Sequence, residues 1–205
     1  DEDTQKKAPG SAEERFKAFT DFYALADNAG AVDYSILYVA AHDLTEAADY
    51  VAHELQKRKA PEGERFAFRC RTRMGTIVLS SGSDDTYAAD QHYLLILDLS
   101  GKDTYHAGGA SGDSAAHPVG ILIDGAGDDR YEAQKGQDGG HAPHCFGTGV
   151  LGYGLLYDLA GNDSYNTPGY GSQGVGVVGF GLLRDFGGDD RYQCMGSTQG
   201  AGLFG

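Results

Sequence analysis

Carboxylates recur along this chain at a spacing that suits oxygen-ligand chemistry. Asp98 and Asp103, Asp124 and Asp129, Asp158 and Asp163, and Asp185 and Asp190 are the paired acids of four Asp-x-x-Gly-x-Asp-x-Tyr octapeptides. A fifth, degenerate copy, Ser80-Ser-Gly-Ser-Asp-Asp-Thr-Tyr87, retains Asp85 and the tyrosine. Hard divalent cations are held by carboxylate and carbonyl oxygens, and Ca²⁺ tolerates mixed shells of both. The same residue types also build tight turns, because Asp and Asn cap backbone N–H groups and Gly accepts positive φ. On sequence alone both uses stand open, cation binding and plain turn capping.

A softer donor set, His141, His144 and Cys145, lies in the longest interval between motif tyrosines. Imidazole with thiolate suits Zn or Cu, although a solvated Gly-rich loop would carry the same residues. His42, Glu46, Asp49 and His53 share one helical face, opposite an apolar stripe, where a solvated polar face belongs. The motif tyrosines fit a stacked ladder, or a row of rings offered to sugars. No nucleophile elbow, P-loop, HExxH or dinucleotide fingerprint occurs. Cys70, Cys145 and Cys194 form no CxxC pair, so neither a zinc knuckle nor c-type haem attachment is indicated.

The elements that must position the acids follow from what precedes them. Each octapeptide comes after an apolar run: Ile77–Leu79, Leu94–Leu97, Ile121–Ile123, Leu155–Tyr157 and Leu182–Leu183. Later copies add a Gly-alternating segment, as in Phe146–Gly152, Gly174–Gly179 and Gly200–Gly205. A unit of about two strands and two turns cannot bury a face by itself, but stacked units share one core. The expected fold is therefore mainly β, a repeat solenoid of the parallel β-helix or β-roll kind over residues 70–205. Residues 1–69 are expected to form a small helical segment or cap of two or three short helices. One helix runs to about Ala26, one spans Val32 to Ala41, and one starts at Asp43. The stripe Leu44, Ala48, Val51 and Leu55 of the third is expected to cover the first coil.

Neighbouring strands lie about 4.8 Å apart, so equivalent residues of a solenoid stack in columns. Asp85, Asp103, Asp129, Asp163 and Asp190 would form one carboxylate column, and Asp98, Asp124, Asp158 and Asp185 another. Like charges that close repel, and a bound cation relieves them.

The segments Gly101-Lys-Asp-Thr-Tyr105, Gly127-Asp-Asp-Arg-Tyr131 and Gly161-Asn-Asp-Ser-Tyr165 resemble the second half of the RTX calcium-binding nonapeptide. The leading Gly-Gly and the nine-residue period of that family are absent. The resemblance implies Ca²⁺ held by Asp carboxylates and turn carbonyls between adjacent turns of a parallel β-roll.

The net charge of −14 opposes nucleic acid and anionic membranes as partners, since both demand clustered Lys and Arg. No run of about 18 apolar residues is present to span a membrane. The expected function is a non-catalytic structural or binding module, extracellular or periplasmic, with Ca²⁺ at its acidic turns. Alternatives are a carbohydrate-active β-helix lyase or hydrolase, with carbohydrate as ligand, and a transition-metal or redox accessory protein. The last residues, Ser197–Gly205, reopen the pattern of Gly171–Gly179 and stop mid-unit. Further repeats, or another protein chain added as a strand, are expected at that edge.

Overall fold

The computed structural model describes residues 29–58, 65–110, 117–133, 146–167, 171–194 and 199–203. Contacts divide the chain into two compact units, Asp1–Asp33 and Tyr34–Leu203. Of the first, the described residues form a turn in which the Val32 N–H donates to the Ala29 carbonyl at 3.2 Å. The helix expected before Ala26 lies outside the described residues.

The second unit opens with one helix, α1 (Tyr34–Gln56). Two helices meeting near Asp43 were expected here, but the chain continues through that position without a break. No Gly or Pro interrupts Tyr34–Gln56, and Asp43 is exposed on the solvent side of the helix rather than at a cap. Ala48 and Ala52 are buried, and they pack with Val51 and Leu55 against Ile123, Leu155, Tyr157 and Leu159. Small side chains let the helix approach the sheet closely. The Asp49 carboxylate accepts from Arg184 at 2.5 Å beside this contact.

The rest of the described chain is mainly β, in strands β1–β14 numbered along the sequence. The first sheet runs in the order β1 (Phe66–Thr72), β2 (Gly75–Ser81), β4 (Tyr93–Asp98), β6 (Val119–Asp124), β9 (Tyr153–Asp158) and β12 (Phe180–Asp185). β1 pairs antiparallel with β2, and every later neighbour is parallel. The boundary expected at residue 70 thus falls inside β1. The second sheet is parallel and contains β3 (Thr86–Tyr87), β5 (Thr104–Tyr105), β7 (Arg130–Glu132), β10 (Ser164–Thr167) and β13 (Arg191–Cys194). A third parallel sheet joins β8 (Gly149–Val150), β11 (Gly176–Val177) and β14 (Gly202–Leu203). From β6 onward the chain visits the three sheets in rotation, so the later units hold three strands where two were expected.

The helix lies against β9 and β12, over the later units and not over the first. The reason is visible in the outward residues of the first sheet. Ile123, Leu155 and Tyr157 offer an apolar surface to α1, whereas β1 at the opposite end is exposed along its whole length. On the inner side, Val78, Ile96, Leu122 and Leu156 pack against the motif tyrosines. Cover on both faces explains why β6 and β9 read as continuous apolar runs rather than as alternating ones.

Glycine fixes how closely the units stack. A Cβ at Gly101, Gly127, Gly161 or Gly188 would fall 2.2, 2.0, 1.8 or 1.6 Å from the carbonyl oxygen of Ser83, Gly101, Gly127 or Gly161 in the preceding unit. The fourth position of the octapeptide is therefore a backbone-to-backbone contact. In the first copy Ser83 occupies it, where no earlier unit lies beneath.

Candidate metal centre

Side chains alternate along a strand, so Asp98, two residues after Ile96, points to the same side as Ile96. Asp124 and Asp158 bear the same relation to Leu122 and Leu156. All six are fully buried. Strand register places the four acids in line, Asp98 beside Asp124, Asp124 beside Asp158 and Asp158 beside Asp185. This is the first of the two expected columns.

The phenols of the second sheet complete it. Tyr87, Tyr105, Tyr131, Tyr165 and Tyr192 stack with ring centroids 4.4–4.8 Å apart and planes within 9°. Their hydroxyls turn inward to the acids. Tyr87 donates to Asp98 at 2.5 Å, Tyr131 to Asp158 at 2.7 Å, and Tyr192 to Asp185 at 2.6 Å. Tyr105 donates to Asp124, and Tyr165 is shared between Asp158 and Asp185 at 3.1 Å each. Tyr87, Tyr105, Tyr131 and Tyr165 are buried, so their faces are closed to an external sugar.

The second column is held by the backbone. The N–H groups of Asp85, Asp103, Asp129 and Asp163 each donate to the carboxylate of the next unit's equivalent, Asp103, Asp129, Asp163 and Asp190, at 2.6–2.9 Å. Asp85 has no earlier unit to supply such a donor. The hydroxyls of Ser80 and Ser83 donate to its Oδ2 instead. The copy that looks degenerate in sequence is thus the finishing unit of the column. Its two serines belong to the candidate site through these bonds, and their sequence signal is that they replace Asp and Gly in the first copy.

The columns meet in overlapping triads. One carboxylate oxygen from each of Asp85, Asp98 and Asp103 lies within 4.8 Å of the others, and the same holds for Asp103, Asp124 and Asp129, for Asp129, Asp158 and Asp163, and for Asp163, Asp185 and Asp190. Every residue of the nine expected as calcium ligands belongs to a triad. Within them Asp103 Oδ2, Asp124 Oδ1, Asp129 Oδ2, Asp158 Oδ1 and Asp163 Oδ2 are buried without a hydrogen-bond partner in the protein. None of the nine pairs with Lys, Arg or His among the described residues. An anionic oxygen buried in this state is costly unless a proton or cation meets it.

Electrostatics register the same deficit. Burial, reinforced by neighbouring carboxylates, pushes the Asp103 and Asp163 carboxyls up to about 8 and Asp129 to about 7. Asp98, Asp124, Asp158 and Asp190 are raised as well, in each case chiefly by burial. Hydrogen bonds from N–H and phenol groups oppose the rise without cancelling it.

The other expected sites do not assemble in the same way. His141, His144 and Cys145 lie outside the described residues. Cys70 is exposed and Cys194 half-buried, both as free thiols. His42 and Glu46 are exposed and stand with Asp43, while Asp49 is taken by Arg184. Arg130 and Arg191, beside Asp129 and Asp190 in the sequence, make no ion pair among the described residues. A surface hollow of about 330 Å³ over the turns is lined by Lys102, Thr104, Asp128, Arg130, Asn162 and Ser164, together with triad acids. Its acids all belong to stacked positions of the octapeptide.

The tyrosine–carboxylate bonds can be weighed directly. Tyr105→Phe removes the one side-chain donor to the buried Asp124 Oδ2 and is expected to lower unfolding free energy by about 1–3 kcal/mol. Tyr192→Phe should cost less, because Tyr192 is part-exposed and Tyr165 still serves Asp185. Denaturant unfolding of the two variants checks this, and equal losses would mean that burial does not set the cost. Comparison with known protein families, with curated proteins and with solved structures finds no match, so geometry alone bears on function.

Proposed function

We propose that this chain is a non-catalytic structural or binding module, a β-solenoid of the parallel β-helix or β-roll kind whose acidic interior row is filled by Ca²⁺. Its partner-binding service is that of a stiff scaffold. The single observation that supports this reading is the set of five buried carboxylate oxygens left without partners within the triads. The parallel in-register pairing and the rotation through three sheets support the solenoid form.

The triads suit Ca²⁺ in two respects. Calcium–oxygen distances are about 2.3–2.6 Å, so ligands on opposite sides of one ion stand about 4.6–5.2 Å apart, and the triad oxygens lie within 4.8 Å of one another. One divalent ion per triad would also bring eight positive charges to nine carboxylates, which nearly neutralises a row that has no basic side chain. The ion supplies charge compensation and cross-linking between units, and no chemical step is assigned to it. Sites of this kind are served best by the calcium-rich extracellular or periplasmic setting. A partner strand would add beside β12, the last strand of its sheet among the described residues, by β-augmentation.

The test is elemental analysis of the purified protein together with thermal melting. Calcium is expected in the protein, excess chelator should lower the melting temperature by several degrees, and added Ca²⁺ should restore it. A calcium-free protein with an unchanged melting curve would overturn the proposal and leave N–H capping and shared protons as the whole account of the acids.

A further inference from the structure

We infer that the four triads form one coupled row, bridged by Asp103, Asp129 and Asp163, so that loss of a bridging carboxylate disables two cation sites while loss of a non-bridging one disables a single site. This rests on the cation reading above and goes beyond it by giving the acids two unequal roles. The basis is membership. Asp103, Asp129 and Asp163 each belong to two adjacent triads, whereas Asp98, Asp124, Asp158 and Asp185 each belong to one. The bridging three come from the N–H-capped column, and each has an Oδ2 that is buried and unpartnered. Asp124 and Asp158, which are non-bridging, accept phenols on Oδ2 and leave a buried, unpartnered Oδ1 for an ion.

The coupling has a physical necessity. Strand spacing sets successive triads about 4.8 Å apart. Two bare divalent ions at that separation repel strongly in a dry interior. A carboxylate shared between them lowers the repulsion, so filling one site prepares the bridge for the next. Asp85 at one end is a member of one triad only, and the Ser80 and Ser83 hydroxyls occupy its Oδ2. The row therefore has a closed end there. Among the described residues Asp185 and Asp190 are only partly buried, so of the four sites the Asp163/Asp185/Asp190 one is the most hydrated and the first to lose its ion.

The experiment compares Asp129→Asn with Asp124→Asn in the whole chain by calcium titration from the chelated state. Both changes are isosteric. An asparagine at 129 still accepts the Asp103 N–H, and one at 124 still accepts the Tyr105 hydroxyl, so circular dichroism should report a folded protein for each. The wild type is expected to bind four Ca²⁺. In Asp124→Asn one site should weaken at least about tenfold, since affinity follows ligand charge count. In Asp129→Asn two should weaken. If Asp129→Asn fails to fold, Asp163→Asn supplies another bridging change, and if Asp124→Asn fails to fold, Asp85→Asn or Asp190→Asn supplies another single-site change. Four bound ions with the same number of weakened sites in Asp124→Asn and Asp129→Asn would overturn the coupling while leaving the cation reading intact. A wild type that takes up no calcium would overturn both.

Discussion

Stripped of divalent cations, the protein is expected to melt roughly 10 °C or more lower at about pH 8.5 than at about pH 5. The sign follows from the direction of the shifts. Asp103, Asp129 and Asp163 titrate in the folded state at about 8, about 7 and about 8, against an ordinary value near 3.8. Between those limits the folded protein holds more protons than the unfolded chain. Stability is thus full below the unfolded value and is lost as pH rises through 7 and 8. Asp98, Asp124, Asp158 and Asp190 shift the same way and deepen the loss. Calcium should reverse the trend, because a cation satisfies the ionised carboxylates that protons satisfy at low pH. The gain from calcium should be large at about pH 8.5 and small at about pH 5, where protons compete for the same oxygens. Melting curves across that range, with chelator and with calcium, give both halves of the result. A cation-free protein whose melting temperature is flat or rises from pH 5 to 8.5 would show that the triads carry no electrostatic deficit.

Replacing Gly161 with Ala is expected to abolish the folded state, whereas Gly187→Ala should be nearly neutral. The two residues illustrate how position in the octapeptide, not residue type, decides. A Cβ at Gly161 would sit 1.8 Å from the Gly127 carbonyl oxygen and 2.6–2.7 Å from the Asp163 carboxylate. The first of these is backbone in the turn between β6 and β7, whose Gly127 N–H donates to the Ala160 carbonyl of the next unit at 3.0 Å, so it cannot withdraw without separating two units. At Gly187 nothing lies within 4 Å of the added carbon, and the loss of unfolded-chain freedom favours the variant by about 0.4–1 kcal/mol. Soluble expression and thermal melting of both variants check this. A stable Gly161→Ala protein would mean that the units can separate by more than an ångström, and that the triads can widen with them.

Much of this architecture is written in the order of residues. The five tyrosines lie 18, 26, 34 and 27 positions apart, yet they stack at one spacing, because each copy enters the second sheet in the same register whatever the number of residues between. Two carboxylate columns could be drawn from the octapeptide alone, and register pairs their members as drawn. Even the inward aim of Asp98, Asp124 and Asp158 was legible, since each follows a core residue by two positions on a strand.

What the sequence determined by itself is the local pattern: apolar run, acidic turn, tyrosine, with glycine where another backbone must pass. What only the tertiary structure decided is how one unit answers the next. The hydroxyl of Tyr105 reaches Asp124 and not Asp98, and Asp129 is capped by the N–H of Asp103 from the unit before. Such partners are separated by tens of residues, and no local period encodes them. The helix shows the same limit. Its stripe of Leu44, Ala48, Val51 and Leu55 was readable, with Ala52 added by the structure, but its placement over β9 and β12 depends on which stretch of the first sheet presents Ile123, Leu155 and Tyr157 side by side. That surface exists only once strands far apart in sequence have been brought into register.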